Sequence, residues 1–78
     1  NEYLKAGRFD QAVEHFRKAV EHDSNYSAAW KLLGKALTAA GRNDDAIRAY
    51  ENGLRVAEEK GDVQAAKEMA VFLRRLRA

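Results

Sequence analysis

The chain has no cysteine and no proline. Without cysteine there is neither a disulfide framework nor a thiolate metal site, which suits a reducing compartment and leads us to expect a cytoplasmic protein. Without proline no helix loses a backbone donor to a pyrrolidine ring, and the abundance of Ala, Leu, Glu, Lys and Arg makes long helices the natural fold. Long apolar runs are missing too: none approaches the roughly 20 residues of a membrane span, and no signal-peptide pattern is present, so no membrane partner is expected. Charge of one sign is also scarce. Fourteen Lys and Arg against 12 Asp and Glu leave a formal charge of +2, too little to make nucleic acid the expected partner. At 78 residues the chain is one small domain or a piece of a larger protein.

Residue groupings that support chemistry are missing as well. His15 and His22 are 7 positions apart, about two helical turns or roughly 10 Å, too far to share a metal as an i, i+4 pair would. No HExxH motif accompanies them. Ser24, Ser27 and Thr38 have no evident base partner, and Ser24 is better used as a helix cap. Asp44 and Asp45 fall in a first helical turn, where carboxylates complement the helix dipole. No Gly-rich loop follows a strand, so no nucleotide cradle is expected. We therefore expect no enzyme, no cofactor and no metal.

What is present is an internal period. Ala6, Gly7, Arg8, Asp10 and Ala12 recur as Ala40, Gly41, Arg42, Asp44 and Ala46, each 34 positions on. Val13, Phe16 and Val20 recur at the same offset as Ile47, Tyr50 and Leu54, with size and apolarity kept where identity is not. A period of this length points to stacked supersecondary units. The spacing predicts a helix from Tyr26 to Ala40, with Trp30, Leu33 and Leu37 on one stripe. Ser24 or Asn25 is expected to cap it and Gly41 to end it in a left-handed conformation. Asn43 and Asp44 then open a second helix carrying Ala46, Ile47, Tyr50, Leu54 and Ala57. Upstream, Tyr3 to Ala6 ends a helix, Gly7 turns the chain, and a helix runs from Asp10 to about His22. After Gly61 and Asp62 a last helix carries Val63, Ala66, Met69, Ala70, Phe72, Leu73 and Leu76. Gly34 and Gly53, each unfavourable by roughly 1 kcal/mol inside a helix, are expected to mark close helix approach.

These residues resemble the tetratricopeptide repeat family, whose pattern is Trp-x2-Leu-Gly-x2-Tyr followed by Ala-x3-Phe and a proline. Here it reads Trp30-x2-Leu33-Gly34-x2-Leu37 and then Ala46-x3-Tyr50, with Ala12-x3-Phe16 one period earlier. With two residues inserted, Ala66, Met69, Ala70 and Leu73 fall on Trp30, Leu33, Gly34 and Leu37. Ser24 and Glu58 stand where the family has proline, and nothing stops the second helix before Gly61, so that helix is expected to run about a turn longer than usual. The resemblance implies an all-α fold of antiparallel helix-turn-helix repeats stacked as an α-solenoid. It divides the single domain 1–78 into a partial repeat over 1–25, a complete repeat over 26–60, and a capping helix or start of a further repeat over 61–78.

The resemblance also implies a function, protein or peptide binding by a scaffold. Members of the family line a concave groove with one face of each first helix. That face carries Ala28, Lys31, Lys35 and Thr38 here, and the matching positions of the last helix are Gln64, Lys67, Val71 and Arg74. A groove lined by Lys31, Lys35, Lys67 and Arg74 favours an acidic ligand or a free C-terminal carboxylate; the competing reading is a solvated lysine-rich face. It is not the carboxylate clamp of some relatives, because Leu32 stands where that clamp needs asparagine. The arginines of Phe72-Leu73-Arg74-Arg75-Leu76-Arg77 suit a helix C-terminus. A second expectation concerns the upstream edge. Phe9, Val13, Phe16 and Val20 have little preceding chain to cover them, so either further repeats upstream or a homo-oligomer contact is expected there, and the absence of an initiator Met agrees with truncation.

Overall fold

The computed structural model describes residues 8–78, and it is all-helical over them. Four α-helices follow one another: α1 (Phe9–His22), α2 (Ser27–Ala39), α3 (Asn43–Lys60) and α4 (Val63–Arg77). Each packs chiefly on its neighbour in sequence, and α2 also touches α4 directly. This is the antiparallel stack that the period predicts. The expected helix over Tyr3 to Ala6 and the turn at Gly7 lie outside the described residues.

Two glycines make the tight reversals. Gly41 (φ 78°) and Gly61 (φ 73°) adopt the left-handed conformation that an L side chain resists. After α2 the Arg42 N–H donates to the Leu37 carbonyl at 2.9 Å and the Gly41 N–H to the Thr38 carbonyl at 3.0 Å. The same pair of bonds ends α3, from Asp62 to Ala57 at 2.8 Å and from Gly61 to Glu58 at 3.2 Å. These close the orphan carbonyls of both helix ends. Asp62 then caps α4, its carboxylate accepting the Ala65 N–H at 3.1 Å. With no proline to end it, α3 extends to 18 residues, against 13 for α2.

The start of α2 differs from expectation. Tyr26 is its N-cap residue, and no side chain caps it. Ser24 and Asn25 serve through their carbonyls instead. The Ser24 carbonyl accepts the Trp30 Nε1–H at 2.8 Å, and that of Asn25 accepts Lys60 Nζ at 2.8 Å. Side chains from the next helix and from the long end of α3 thus hold a loop that capping would otherwise hold. The start of α3 differs in the same way: Arg42 is the N-cap residue without a side-chain cap, while Asp44 and Asp45 place their charge in the first turn.

The core runs through all four helices: Val13, Phe16 and Val20 of α1, Leu33, Ala36 and Leu37 of α2, Ala46, Ala49 and Tyr50 of α3, and Met69 and Leu73 of α4. Trp30 packs partly buried against it. Gly34 and Gly53 let these helices meet. A Cβ on Gly34 would stand 2.5 Å from the Tyr50 ring, and one on Gly53 would stand 2.6 Å from Trp30 Cβ and overlap Met69 Sδ.

The upstream edge must be corrected. Val13, Phe16 and Val20 are not displayed; they are buried at 2%, 6% and 5% exposure within the chain, and Phe9 is partly buried. The reason is that these residues join one core cluster with Leu33 and Leu37 of α2, on which α1 packs.

Candidate functional site

Helix α2 buries Leu33, Ala36 and Leu37, which leaves its other side to Ala28, Lys31, Lys35 and Thr38. These four follow i, i+3, i+7, i+10 spacing and share a face. Lys35 and Thr38 are exposed, Ala28 and Lys31 partly buried. Helix α4 meets this face with Glu68, Phe72 and, a turn later, Arg75 and Leu76.

The two lysines differ in their surroundings. Lys31 Nζ donates to Glu68 Oε1 at 2.9 Å, a pair whose side chains are 27% and 39% exposed, so its charge is answered from α4. Gln64 Nε2 donates to the other carboxylate oxygen at 3.4 Å. The hydrogen bond from Lys31 chiefly, then that from Gln64 and the charges of Lys31 and Lys35, holds the Glu68 carboxyl below its usual range. Lys35 forms no ion pair among the described residues, although its charge still acts on Glu68. Its ammonium lies 5.7 Å from the centre of the Phe72 ring, a cation–π distance.

Phe72 in turn stacks on Tyr50, with centroids 5.1 Å apart and ring planes 20° from parallel. Around this pair opens a cavity of about 350 Å³ lined by Lys35, Thr38, Ala39, Tyr50, Phe72, Arg75 and Leu76. Its floor is apolar and its rim basic. Tyr50 is 2% exposed; burial pushes its hydroxyl up to about 12, against the smaller opposing effect of a hydrogen bond with Thr38. The Thr38 hydroxyl itself donates to the Gly34 carbonyl at 2.8 Å.

The face expected from the sequence is therefore assembled only in part. Lys35 and Thr38 line the cavity, Lys31 lies a turn before it against Glu68, and Ala28 a further turn back. Lys67 and Arg74 are elsewhere. Lys67 borders a hollow with Ala57, Glu58 and Val63, and Arg74 borders another with Leu54, Ala70 and Leu73; neither hollow contains a residue of α2. The reason is geometric. Units stacked by translation present the leading face of one helix to the trailing face of the next, so α2 offers Lys31 and Lys35 while α4 answers with Glu68 and Phe72. One position along an α-helix turns the side chain by about 100°, which separates Lys67 from Glu68. Sequence reasoning missed Glu68, Phe72, Arg75 and Tyr50 as parts of this site; the aromatic pair was its available signal.

Among the described residues no helix is long and apolar enough to cross a membrane. Nor does any group of three or more His, Asp or Glu side chains gather there as a metal site would require. The architecture is that of a helical-repeat scaffold, the fold of protein–protein interaction modules. The family model for the tetratricopeptide repeat matches residues 3–70, and the chain belongs to that family.

The chain is similar to the TPR repeat-containing protein PA0015 of Pseudomonas aeruginosa, with 55% identity over 95% of this chain and 70% of that protein. Similarity to the small glutamine-rich tetratricopeptide repeat-containing protein 2 of Mycosarcoma maydis is 32% over 69% of this chain, but the match spans only 15% of that longer protein. Among solved structures, the protein BPP2914 of Bordetella parapertussis superposes with a TM-score of 0.84 at 46% identity, over 97% of this chain and 66% of that one. A tetratricopeptide repeat domain protein of Salinibacter ruber gives 0.86 at 32% identity, over 96% of this chain and 76% of that one.

Proposed function

We propose that this chain is a non-catalytic interaction scaffold that receives a peptide or an extended partner segment on the face of α2 that carries Ala28, Lys31, Lys35 and Thr38. The observation that carries this reading is the cavity of about 350 Å³ beside Lys35 and Thr38, open and floored by the Tyr50–Phe72 stack. A preformed hollow with an apolar floor and few polar groups is what binding sites have in common, and a helical framework holds it without an ordering penalty at the moment of binding. Small side chains at Ala28 and Ala39 leave room for a ligand backbone. Lysines on the approach favour an acidic partner or a free C-terminal carboxylate by steering and by charge complementarity.

The test is capture of a cognate partner by chains carrying Lys31→Glu with Lys35→Glu, against Lys67→Glu as a control on another side of α4. The double reversal is expected to abolish capture and the control to leave it near the level of the unaltered chain. Unchanged capture by the double variant, with amide chemical shifts on partner addition confined to α1, would place the interaction elsewhere and refute the reading.

A further inference from the structure

Six cations lie on α2 and α4, and four are answered or point elsewhere: Lys31 by Glu68 and Arg77 by Glu51, while Lys67 and Arg74 border other hollows. Lys35 and Arg75 are different. Both line the cavity above the Tyr50–Phe72 stack, both are exposed, and neither forms an ion pair among the described residues, the charge of Lys35 acting on Glu68 only as a minor effect. They come from opposite walls, Lys35 from α2 and Arg75 from α4, with the apolar surface of Tyr50, Phe72, Ala39 and Leu76 between them.

The volume narrows the occupant. About 350 Å³ is near the lower end of the roughly 300–1,000 Å³ of ligand pockets. That is room for one large apolar side chain, not for the face of a helix. A segment whose anchor side chain enters here passes a cation on each wall, and an extended chain advances about 3.3 Å per residue. Carboxylates one or two positions before and after the anchor then fall within reach of the long Lys35 and Arg75 side chains.

We infer that the Lys35–Arg75 cavity is a recognition pocket for an internal acidic–apolar–acidic peptide segment, an aromatic or large aliphatic side chain seated on the Tyr50–Phe72 stack with Asp or Glu on both sides. The inference rests on the groove reading above and specifies its ligand. A single terminal carboxylate answers one wall only; two cations on two walls call for two carboxylates. The sequence supports the same assignment. At the offset that aligns α4 with α2, Glu68, Phe72 and Arg75 replace Leu32, Ala36 and Ala39, so the aromatic floor and the second cation are additions specific to this step of the stack.

The experiment is selection from a displayed library of random segments flanked on both sides by fixed Gly-Ser sequence, with no free terminus near the random part. A parallel library ends in free carboxylates. Three chains are used: the unaltered chain, Lys35→Glu with Arg75→Glu, and Arg75→Glu alone, each checked for unchanged helicity and melting. The expected result is enrichment of Phe, Trp, Leu or Met with Asp or Glu within two positions on both sides. Selected peptides should bind each reversed chain roughly tenfold or more weakly, since like charges replace opposite ones.

Enrichment without acidic flanks, or selected peptides that bind the reversed chains equally, overturns the pocket assignment while leaving a groove elsewhere standing. Enrichment only in the free-carboxylate library overturns it in favour of a terminal ligand. Sedimentation equilibrium showing self-association that Arg75→Glu abolishes overturns it in favour of a second copy of the chain. If neither library yields a binder, the groove reading fails with it.

Discussion

Gly34 sets the distance between α2 and α3, and Gly34→Ala measures what that contact is worth. The substitution has two opposed effects. Alanine improves helix propensity by about 1 kcal/mol. Its methyl group, however, would lie 2.5, 2.6 and 2.8 Å from three atoms of the Tyr50 ring, where carbon atoms rest at roughly 3.5–4.0 Å. The ring must retreat by about 1 Å. It has little room to do so: Tyr50 is 2% exposed and Phe72 is stacked on it at 5.1 Å. Overpacking of this kind is destabilising by about 1–3 kcal/mol, and the confined ring puts this site at the upper end.

The net expectation is a loss of about 1–2 kcal/mol, or roughly 5–15 °C in Tm for a domain of this size. Urea unfolding followed by far-UV circular dichroism reads it directly, as a lower midpoint with an unchanged slope. A double-mutant cycle isolates the cause. Tyr50→Val removes all three opposing ring atoms, so Gly34→Ala on that background should be neutral or stabilising. A Gly34→Ala chain that melts higher than the parent, or the same loss on both backgrounds, would refute the argument.

Three further outcomes rest on the same packing. Gly61→Ala meets no atom within 4 Å, so its loss of about 1–2 kcal/mol comes from the left-handed backbone alone, and Asp62→Ala should lose about 1 kcal/mol through the α4 cap; urea midpoints that do not move would show that neither turn is constrained. Glu68→Gln releases Lys31 from its carboxylate and should tighten the binding of acidic peptides about three- to tenfold in fluorescence anisotropy at low salt, whereas unchanged or weaker binding would mean Lys31 takes no part. The Tyr50 hydroxyl is raised from 10.0 to about 12, so the unfolded chain loses this proton first. The associated stability is complete below about pH 10 and falls by about 1.4 kcal/mol per pH unit towards pH 12. Tyr50→Phe should remove that slope, and an identical alkaline decline in both chains would assign it to other groups.

The fold was largely legible because a repeat states its packing twice. Val13, Phe16 and Val20 together with Ile47, Tyr50 and Leu54 marked the same face one period apart, and Gly41 and Gly61 marked both reversals. The capping of α2 was not legible. Its loop is held by the Trp30 indole and the Lys60 ammonium reaching the Ser24 and Asn25 carbonyls, contacts that depend on where α3 ends in space. Burial of the α1 stripe was misjudged for a related reason. A single amphipathic face says that a helix is covered, and which neighbour covers it is a property of the stack.

The site shows the same limit from the other side. Lys31 and Lys35 were identified because they sit where the pattern of α2 leaves positions free, but carrying the same positions to α4 selected Lys67 and Arg74, which the translation of the stack turns away from α2. The face that α2 meets is found by comparing trailing faces instead. There Glu68, Phe72, Arg75 and Leu76 correspond to Leu32, Ala36, Ala39 and Ala40, and Tyr50 corresponds to Phe16. Apolar and small residues thus give way to a carboxylate, a ring and a guanidinium, all on the one side of α4 that borders the cavity. Residues that keep the period fix the stack, because each unit must bury the same surface against the next. Residues that break it in a cluster are released from that requirement, and in this chain they gather around the Tyr50–Phe72 stack, where Lys35 and Arg75 stand outside any ion pair among the described residues.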